Sequence, residues 1–166
     1  MTTGWGSAGF QTTSEIVDLT VKGDNLCNNW PDFPTSIWGA TGGLIGDTVI
    51  ICGGWDDGLY VDECYSLTSE TATLITHMYV WREDAASIVI NDNTLWVTGG
   101  SNGGYLASTD YVKMTGTMPG PDMPMALRYH AMVAINNTRS MVIGGENLDY
   151  SASTFYYDHN EGEWTT

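Results

Sequence analysis

The stretch TLWVTGGSNGGYLASTDYV, residues 94–112, carries an apolar run into a glycine pair, then a small polar loop with a tyrosine, then a second apolar run around Tyr111. The same order returns on both sides. TVIICGG (residues 48–54) and SMVIGG (residues 140–145) also end on glycine pairs, and the second glycines, Gly54, Gly100 and Gly145, stand 46 and 45 residues apart. A tyrosine follows each of them at an offset of 11, namely Tyr65, Tyr111 and Tyr156. GSAGFQTTSEIVDL (residues 6–19) lines up without a gap on GSNGGYLASTDYVK (residues 100–113). This puts Val17 in the tyrosine slot and Trp5-Gly6 in place of the glycine pair. Self-similarity at a fixed period is the mark of a repeat architecture. The chain therefore reads as three near-complete units preceded by the back half of a fourth.

Each unit reads as short strands. In the third, AASIVI is followed by the turn NDNT and then by LWVTGG; in the fourth, HAMVAI is followed by NNTR and SMVIGG. Asn-Asp and Asn-Asn tolerate the positive φ angles of tight hairpins. STDYV and STFYY supply a third strand, and a weaker fourth lies near Leu74 and at EGEWT. No long stretch has helical period and caps. Four short strands in about 45 residues predict an all-β chain of propeller blades. The expected division is an outer half-blade over residues 1–30 and blades over 31–80, 81–124 and 125–166.

Charge narrows the partners. Five Lys and Arg stand against 20 Asp and Glu, a net charge of −15. Such a surface repels phosphate and anionic lipid, so it disfavours nucleic acid and membrane docking and leaves basic peptides or cations as compatible ligands. No apolar run approaches the length of a membrane-spanning helix. The first residues show neither a charged n-region nor an apolar h-region.

The glycine pair after an apolar strand, the tyrosine beyond it, and Trp164 eight residues after Tyr156 resemble the kelch repeat. The fourth unit matches best, with Arg128 and His130 opening the inner strand. The third has Arg82, with Trp96 in the aromatic slot before the glycines. The second departs: no arginine stands near Trp38, and Leu74 occupies the tryptophan slot. The resemblance implies a kelch-type β-propeller, of which this chain holds about three and a half four-stranded blades. Its two ends do not complement each other. The expectation is therefore a segment of a longer protein whose remaining blades complete the ring, the alternative being closure by self-association. In such propellers the loops between second and third strands gather on one face and contact the ligand.

Those loops carry an aromatic in every unit: Phe10, Tyr60, Tyr105 and Tyr150. Tyr60, Tyr105 and Tyr150 with Trp55, Asp56, Asp57, Glu146 and Asp149 form the predicted partner-binding set, the bland alternative being aromatics packed on their own blades. Asp56, Asp57, Asp62 and Glu63 do not follow a calcium-loop spacing. Cys52 and Cys64 face each other across antiparallel strands if the hairpin centres near Gly58, which makes a disulfide geometrically reasonable; two small buried thiols are the alternative. Cys27 has no visible partner. Asn136-Asn137-Thr138 is a glycosylation sequon in a hairpin turn. A disulfide and a sequon point to an extracellular protein, and the pattern loosely resembles extracellular kelch-like proteins.

Catalytic chemistry is not apparent. His77, His130 and His159 are scattered, GGSNGG lacks the lysine of a phosphate loop, and no metal or cofactor set is assembled. The reading is a non-catalytic protein- or peptide-binding scaffold. One alternative is an intracellular substrate adaptor of the ubiquitin-ligase type, which the few arginines disfavour. The other is a copper-oxidase-like propeller whose ligands lie elsewhere.

Overall fold

Runs of β-branched and aromatic residues separated by Gly, Asn and Asp turns favour short paired strands over helix. The computed structural model describes residues 5–6, 9–10, 12–17 and 27–166, and no helix occurs among them. The chain begins with the short hairpin β1 (Trp5–Gly6) and β2 (Gly9–Phe10), followed by the pair β3 (Ser14–Val17) and β4 (Cys27–Trp30). The second unit comprises β5 (Thr41–Ile45), β6 (Thr48–Cys52), the short pair β7 (Trp55–Asp56) and β8 (Leu59–Tyr60), β9 (Glu63–Leu67) and β10 (Ala72–His77). The third comprises β11 (Ala86–Ile90), β12 (Thr94–Thr98), β13 (Thr109–Lys113) and β14 (Gly116–Pro119). The fourth comprises β15 (Ala131–Asn136), β16 (Arg139–Ile143), the short pair β17 (Glu146–Asn147) and β18 (Asp149–Tyr150), β19 (Thr154–Asp158) and β20 (Glu163–Thr165).

The last three units each form a four-stranded antiparallel sheet with strands in chain order, and β3 and β4 form a two-stranded sheet ahead of them. First strands of successive sheets meet, β5 against β11 and β11 against β15. The result is a propeller-like stack that does not close on itself among the described residues. Its core lies between sheets. Ile50 and Cys52 meet Leu95 and Val97 at one interface. At the next, Trp96 is fully buried against Tyr157 and Trp164, with ring centroids 4.8 and 5.5 Å away.

Strand register corrects the alignment by counting. Ile51 pairs with Tyr65, whereas Trp96 pairs with Tyr111 and Met141 with Tyr156. The amide of Gly53 bonds the carbonyl of Glu63, ten residues on; those of Gly99 and Gly144 bond Ser108 and Ser153, nine on. The second unit has one residue more, in its Asp57-Gly58 turn. A slip of one residue turns a side chain to the other face of a sheet. Tyr65 thus corresponds to Asp110 and Phe155 and packs on Phe33 and Ile37 towards the preceding sheet. The first unit has the longer form too. Trp5 pairs with Phe10 as Trp55 pairs with Tyr60, so Trp5-Gly6 does not replace the glycine pair, and Val17 corresponds to Leu67. The place of Trp164, opposite Tyr157, falls in the second unit to Ala72, opposite Leu67; Leu74 is exposed.

The glycine pairs are the seams. The Gly54 amide donates to the Arg82 carbonyl and the Gly100 amide to that of Leu127, both at 2.8 Å, so each pair is bonded to the next unit. All six glycines have positive φ. A Cβ on Gly53 would lie 2.5 Å from the Arg82 oxygen; one on Gly99 would collide with the Leu127 oxygen and lie 2.7 Å from His130 Cε1. Gly144 has φ of 67° but meets only the Ser151 oxygen at 3.5 Å.

Arg82 and Arg128 are not equivalent, contrary to the shared slot read from the sequence. Backbone bridges align Trp38, Glu83 and Arg128, so Arg82 corresponds to Ile37 and Leu127. Ile37 clusters with Tyr65, and Leu127 with Phe155. In the third unit the same two positions hold a buried ion pair, Arg82 to Asp110 at 2.7 Å. The guanidinium also donates to the carbonyls of Val80, Gly99 and Ser108 and to the Ser108 hydroxyl. The Asp110 carboxylate accepts from the Tyr79 amide as well.

The outer face of the fourth sheet is open. Ala131, Val133, Ile143 and Tyr156 are exposed there, while their counterparts in the third sheet, Ala86, Ile88, Thr98 and Tyr111, are covered by the fourth.

Two stability experiments follow. Gly144→Ala is expected to cost about 1–2 kcal/mol, the penalty of a left-handed alanine. Gly99→Ala is expected to cost roughly 1–3 kcal/mol more through overpacking at the seam. Equal denaturation midpoints for the two variants would exclude the seam as the cause. Arg82→Leu alone leaves Asp110 buried without its partner and is expected to cost about 3–5 kcal/mol. Adding Asp110→Phe copies the Leu127–Phe155 pair and is expected to recover more than half of that loss. A double variant no better than the single one would show that the pair is not exchangeable for packing.

Candidate loop-face site

In an antiparallel meander, alternate connections emerge at opposite ends of the sheet. The loops from β6 to β9, β12 to β13 and β16 to β19 share one end with the connections between sheets. The turns at Gly46, Asn91-Asp92 and Asn137 lie at the other. At the first end the last three units repeat one arrangement. The residue leading to the inner strand (Trp38, Glu83, Arg128) bridges the residue after the glycine pair (Trp55, Ser101, Glu146), which in turn pairs with the loop tyrosine (Tyr60, Tyr105, Tyr150). The next residue, Gly39, Asp84 or Tyr129, has φ of 68, 56 and 56°. The Asp84 amide bonds the Gly39 carbonyl at 2.8 Å and the Tyr129 amide the Asp84 carbonyl at 3.0 Å, linking the three units.

Three units contribute to one cleft of about 320 Å³ at this end, with Tyr60, Glu83, Ser101, Tyr105 and Arg128 in its wall. Gly103 lies close to Tyr60, its Cβ position 3.8 Å from the tyrosine hydroxyl. Arg128 donates to Glu146 Oε1 at 3.0 Å, and the Tyr105 hydroxyl donates to the same oxygen at 3.1 Å. The guanidinium stands 5.5 Å from the Tyr105 ring centre and 4.8 Å from that of Tyr129, within cation–π range. Arg128 holds the Glu146 carboxyl below its ordinary range. Burial, with Asp84 adding to it, pushes the Glu83 carboxyl up, and Arg128 only partly opposes this. Burial likewise raises Asp84. The Tyr129 hydroxyl is pushed up to about 12 by burial and its hydrogen bond to Asp84.

The structure brings Tyr60, Tyr105 and Glu146 from the predicted set into or beside the cleft. Trp55 stands edge-on to Tyr60, with centroids 4.6 Å apart. Asp56, Asp57, Asp149 and Tyr150 lie on the β7–β8 and β17–β18 hairpins at the same end, and Tyr150 is 93 % exposed. The Phe10 and Cys27 side chains lie outside the described residues. Glu83, Asp84, Ser101 and Tyr129 were not anticipated. For Ser101 a signal was available, since it follows its glycine pair as Trp55 and Glu146 follow theirs and pairs with Tyr105, and Glu83 in turn bridges Ser101.

The three histidines are engaged in structure. His77 Nδ1 lies 2.9 Å from Asp62, and His159 Nε2 lies 2.7 Å from the Ser140 hydroxyl. His130 Nε2 meets Thr98 at 2.8 Å, and burial with Arg82 nearby pushes its imidazole down to about 4. No group of three or more metal-ligating side chains is poised for an ion among the described residues. Asn136 is exposed at the opposite end, its Oδ1 accepting from the Thr138 amide at 2.8 Å and hydroxyl at 2.9 Å.

Cys52 and Cys64 are directly opposite across β6 and β9 and form a disulfide. It lies in the interface with the third sheet, beside Leu95 and Val97, and clasps the base of the hairpin that carries Trp55 and Tyr60.

No protein-family model matches this chain, and neither does any curated protein. Among solved structures, that of YjhT superposes with a TM-score of 0.80 at 16 % identity, over 98 % of this chain and 60 % of the other. At that identity the likeness concerns the fold. The chain thus spans 60 % of the length of the structure it matches. No helix among the described residues is long and apolar enough to cross a membrane.

The disulfide closes a loop with a sequence separation of 12. Its reduction is expected to cost about 2–3 kcal/mol, chiefly through a freer unfolded chain. Denaturation of Cys52→Ser/Cys64→Ser beside the oxidised parent measures this. An unchanged midpoint would show that the hairpin is held by the sheet alone.

Proposed function

We propose that this chain is a non-catalytic scaffold for a protein or peptide partner, a kelch-type partial propeller whose loop face makes the contact. The observation that carries the reading is the exposure of large apolar side chains at the hairpin tips of that face. Tyr150 is 93 %, Leu148 85 % and Leu59 73 % exposed, each on a two-strand hairpin anchored to a sheet. Apolar and aromatic groups held out from a rigid base lose little entropy on binding and are the usual anchors of an interface. The glycine seams and the Trp96 position support the kelch assignment. The uncovered fourth sheet, and the share of the matched structure that the chain spans, support a larger ring completed by further blades or by a second copy. The Cys52–Cys64 disulfide supports an oxidising, extracellular setting, in which Asn136 is an accessible glycan acceptor.

Selection of a displayed peptide library on the immobilised 166-residue chain tests the reading. Selected peptides are expected to lose at least about tenfold in affinity for Leu148→Ala/Tyr150→Ala, the loss typical of a hot-spot pair. They should bind Asn137→Ala, at the opposite end, unchanged. Peptides indifferent to the loop-face change would place recognition elsewhere.

A further inference from the structure

The loop-face cleft holds a charge that its surroundings do not balance. Glu83 is only 6 % exposed, yet its Oε2 meets no hydrogen-bond donor among the described residues. Asp84 beside it also has an unpartnered buried oxygen, Oδ2. The cation of this wall, Arg128, donates to Glu146 and lies against the rings of Tyr105 and Tyr129, while its Nε meets no acceptor and none of its hydrogen bonds reaches Glu83. Of the three carboxylates here, Glu146 holds the guanidinium and Asp84 the Tyr129 hydroxyl, which leaves Glu83 without either. Buried carboxylates left without donors are costly, and a structure that keeps one in a cleft wall has a place for a donor from outside.

The walls define what that donor is. Tyr60 and Tyr105 offer aromatic surface, and Ser101 with the Gly103-Gly104 backbone adds polar groups and little bulk. Arg128 shows the same chemistry already at work within the chain, a guanidinium against tyrosine rings with a carboxylate at its head. A net charge of −15 steers cations towards the molecule and anions away. We propose that the cleft walled by Tyr60, Glu83, Ser101, Tyr105 and Arg128 is a pocket for a basic side chain, arginine or lysine, of the bound peptide, with Glu83 as its counter-ion and Arg128 held back on Glu146. This rests on the scaffold reading and names the chemistry that the scaffold selects.

The pocket can be tested without a partner. N-acetyl-argininamide and N-acetyl-lysinamide are titrated into the ¹⁵N-labelled 166-residue chain, with N-acetyl-glutaminamide as the neutral control. The basic probes are expected to shift the amide signals of Ser101, Gly103 and Gly104 saturably, and the neutral probe is not. Glu83→Gln is expected to weaken the response about tenfold, as loss of a charge-assisted hydrogen bond does. Should that variant misfold, Tyr60→Ala, on the outer hairpin, serves in its place and is expected to weaken the response severalfold through the lost ring. Equal response to the neutral probe, indifference to Glu83→Gln in a folded variant, saturation by calcium chloride but not by the basic probes, or no saturable shift would each overturn the proposal. Loop-face peptides selected without any basic residue would overturn it while leaving the scaffold reading intact. Binding of the basic probes with no peptide selected would do the reverse.

Discussion

One backbone hydrogen bond sets the geometry on which the rest depends: Gly54 to the Arg82 carbonyl, repeated as Gly100 to the Leu127 carbonyl. It joins the end of a second strand to the chain about to begin the next sheet. Only residues without Cβ permit that approach: the space a methyl would need is taken at Gly54 and Gly100 by the Trp38 and Glu83 oxygens, and at Gly53 and Gly99 by the Arg82 and Leu127 oxygens of the following unit. The bond fixes the spacing of successive sheets at the loop-face end. It therefore also fixes which loops are neighbours. Tyr60 of the second unit comes to Gly103 of the third, and Tyr105 of the third to Arg128 and Glu146 of the fourth. The cleft is a property of the seams, shared among units rather than owned by one.

The repeat fixes positions and leaves their chemistry free. Ile37 with Tyr65, Arg82 with Asp110 and Leu127 with Phe155 occupy one structural pair in three successive units, twice apolar and once ionic. The ionic version brings four further hydrogen bonds from the guanidinium, which tie the third unit's approach segment to both Gly99 and Ser108. Its charge reaches the next unit too, where it helps keep His130 neutral. The loop-face position one residue along varies in the same way, as Trp38, Glu83 and Arg128. The fold is thus the same whichever of the three residues stands at that loop-face position.

Period, strand content and the glycine pairs were legible in the sequence because alternation and turn residues are local signals. The pairing of Cys52 with Cys64 was legible for the same reason, since a short hairpin leaves little freedom in register. What counting could not show was the additional residue in the Asp57-Gly58 turn. A two-residue turn and a one-residue turn at Leu148 both close a hairpin, and only the ladder beyond reveals the difference. That single residue moved Tyr65 to the other face and displaced Leu74 from the tryptophan position. Arg82 and Arg128 looked alike because both precede an inner strand; one residue of offset buries the first and leaves the second at the surface. The loop tyrosines were visible as a recurring aromatic. Glu83 was not, because it reaches the cleft from a segment 18 residues before its bridge partner Ser101.

The stack has a direction, and this bears on how a larger ring would form under the proposed reading. At two seams the first glycine of the pair is pressed against the following unit and the second donates to it. At the third seam Gly144 meets only its own loop, and the face beyond carries Val133, Ile143 and Tyr156 in the open. A further blade is thus constrained before it arrives. It must offer a carbonyl to Gly145 as Arg82 does to Gly54, and an apolar or aromatic inner face to the residues that correspond to Ile88, Thr98 and Tyr111. A second copy docking by its own uncovered surfaces would have to meet the same two conditions at once. The backbone condition is the stricter, because a carbonyl must be placed to within a hydrogen bond while the apolar face tolerates many partners. Under the proposed reading the glycine pair, rather than the hydrophobic patch, would select what completes the array.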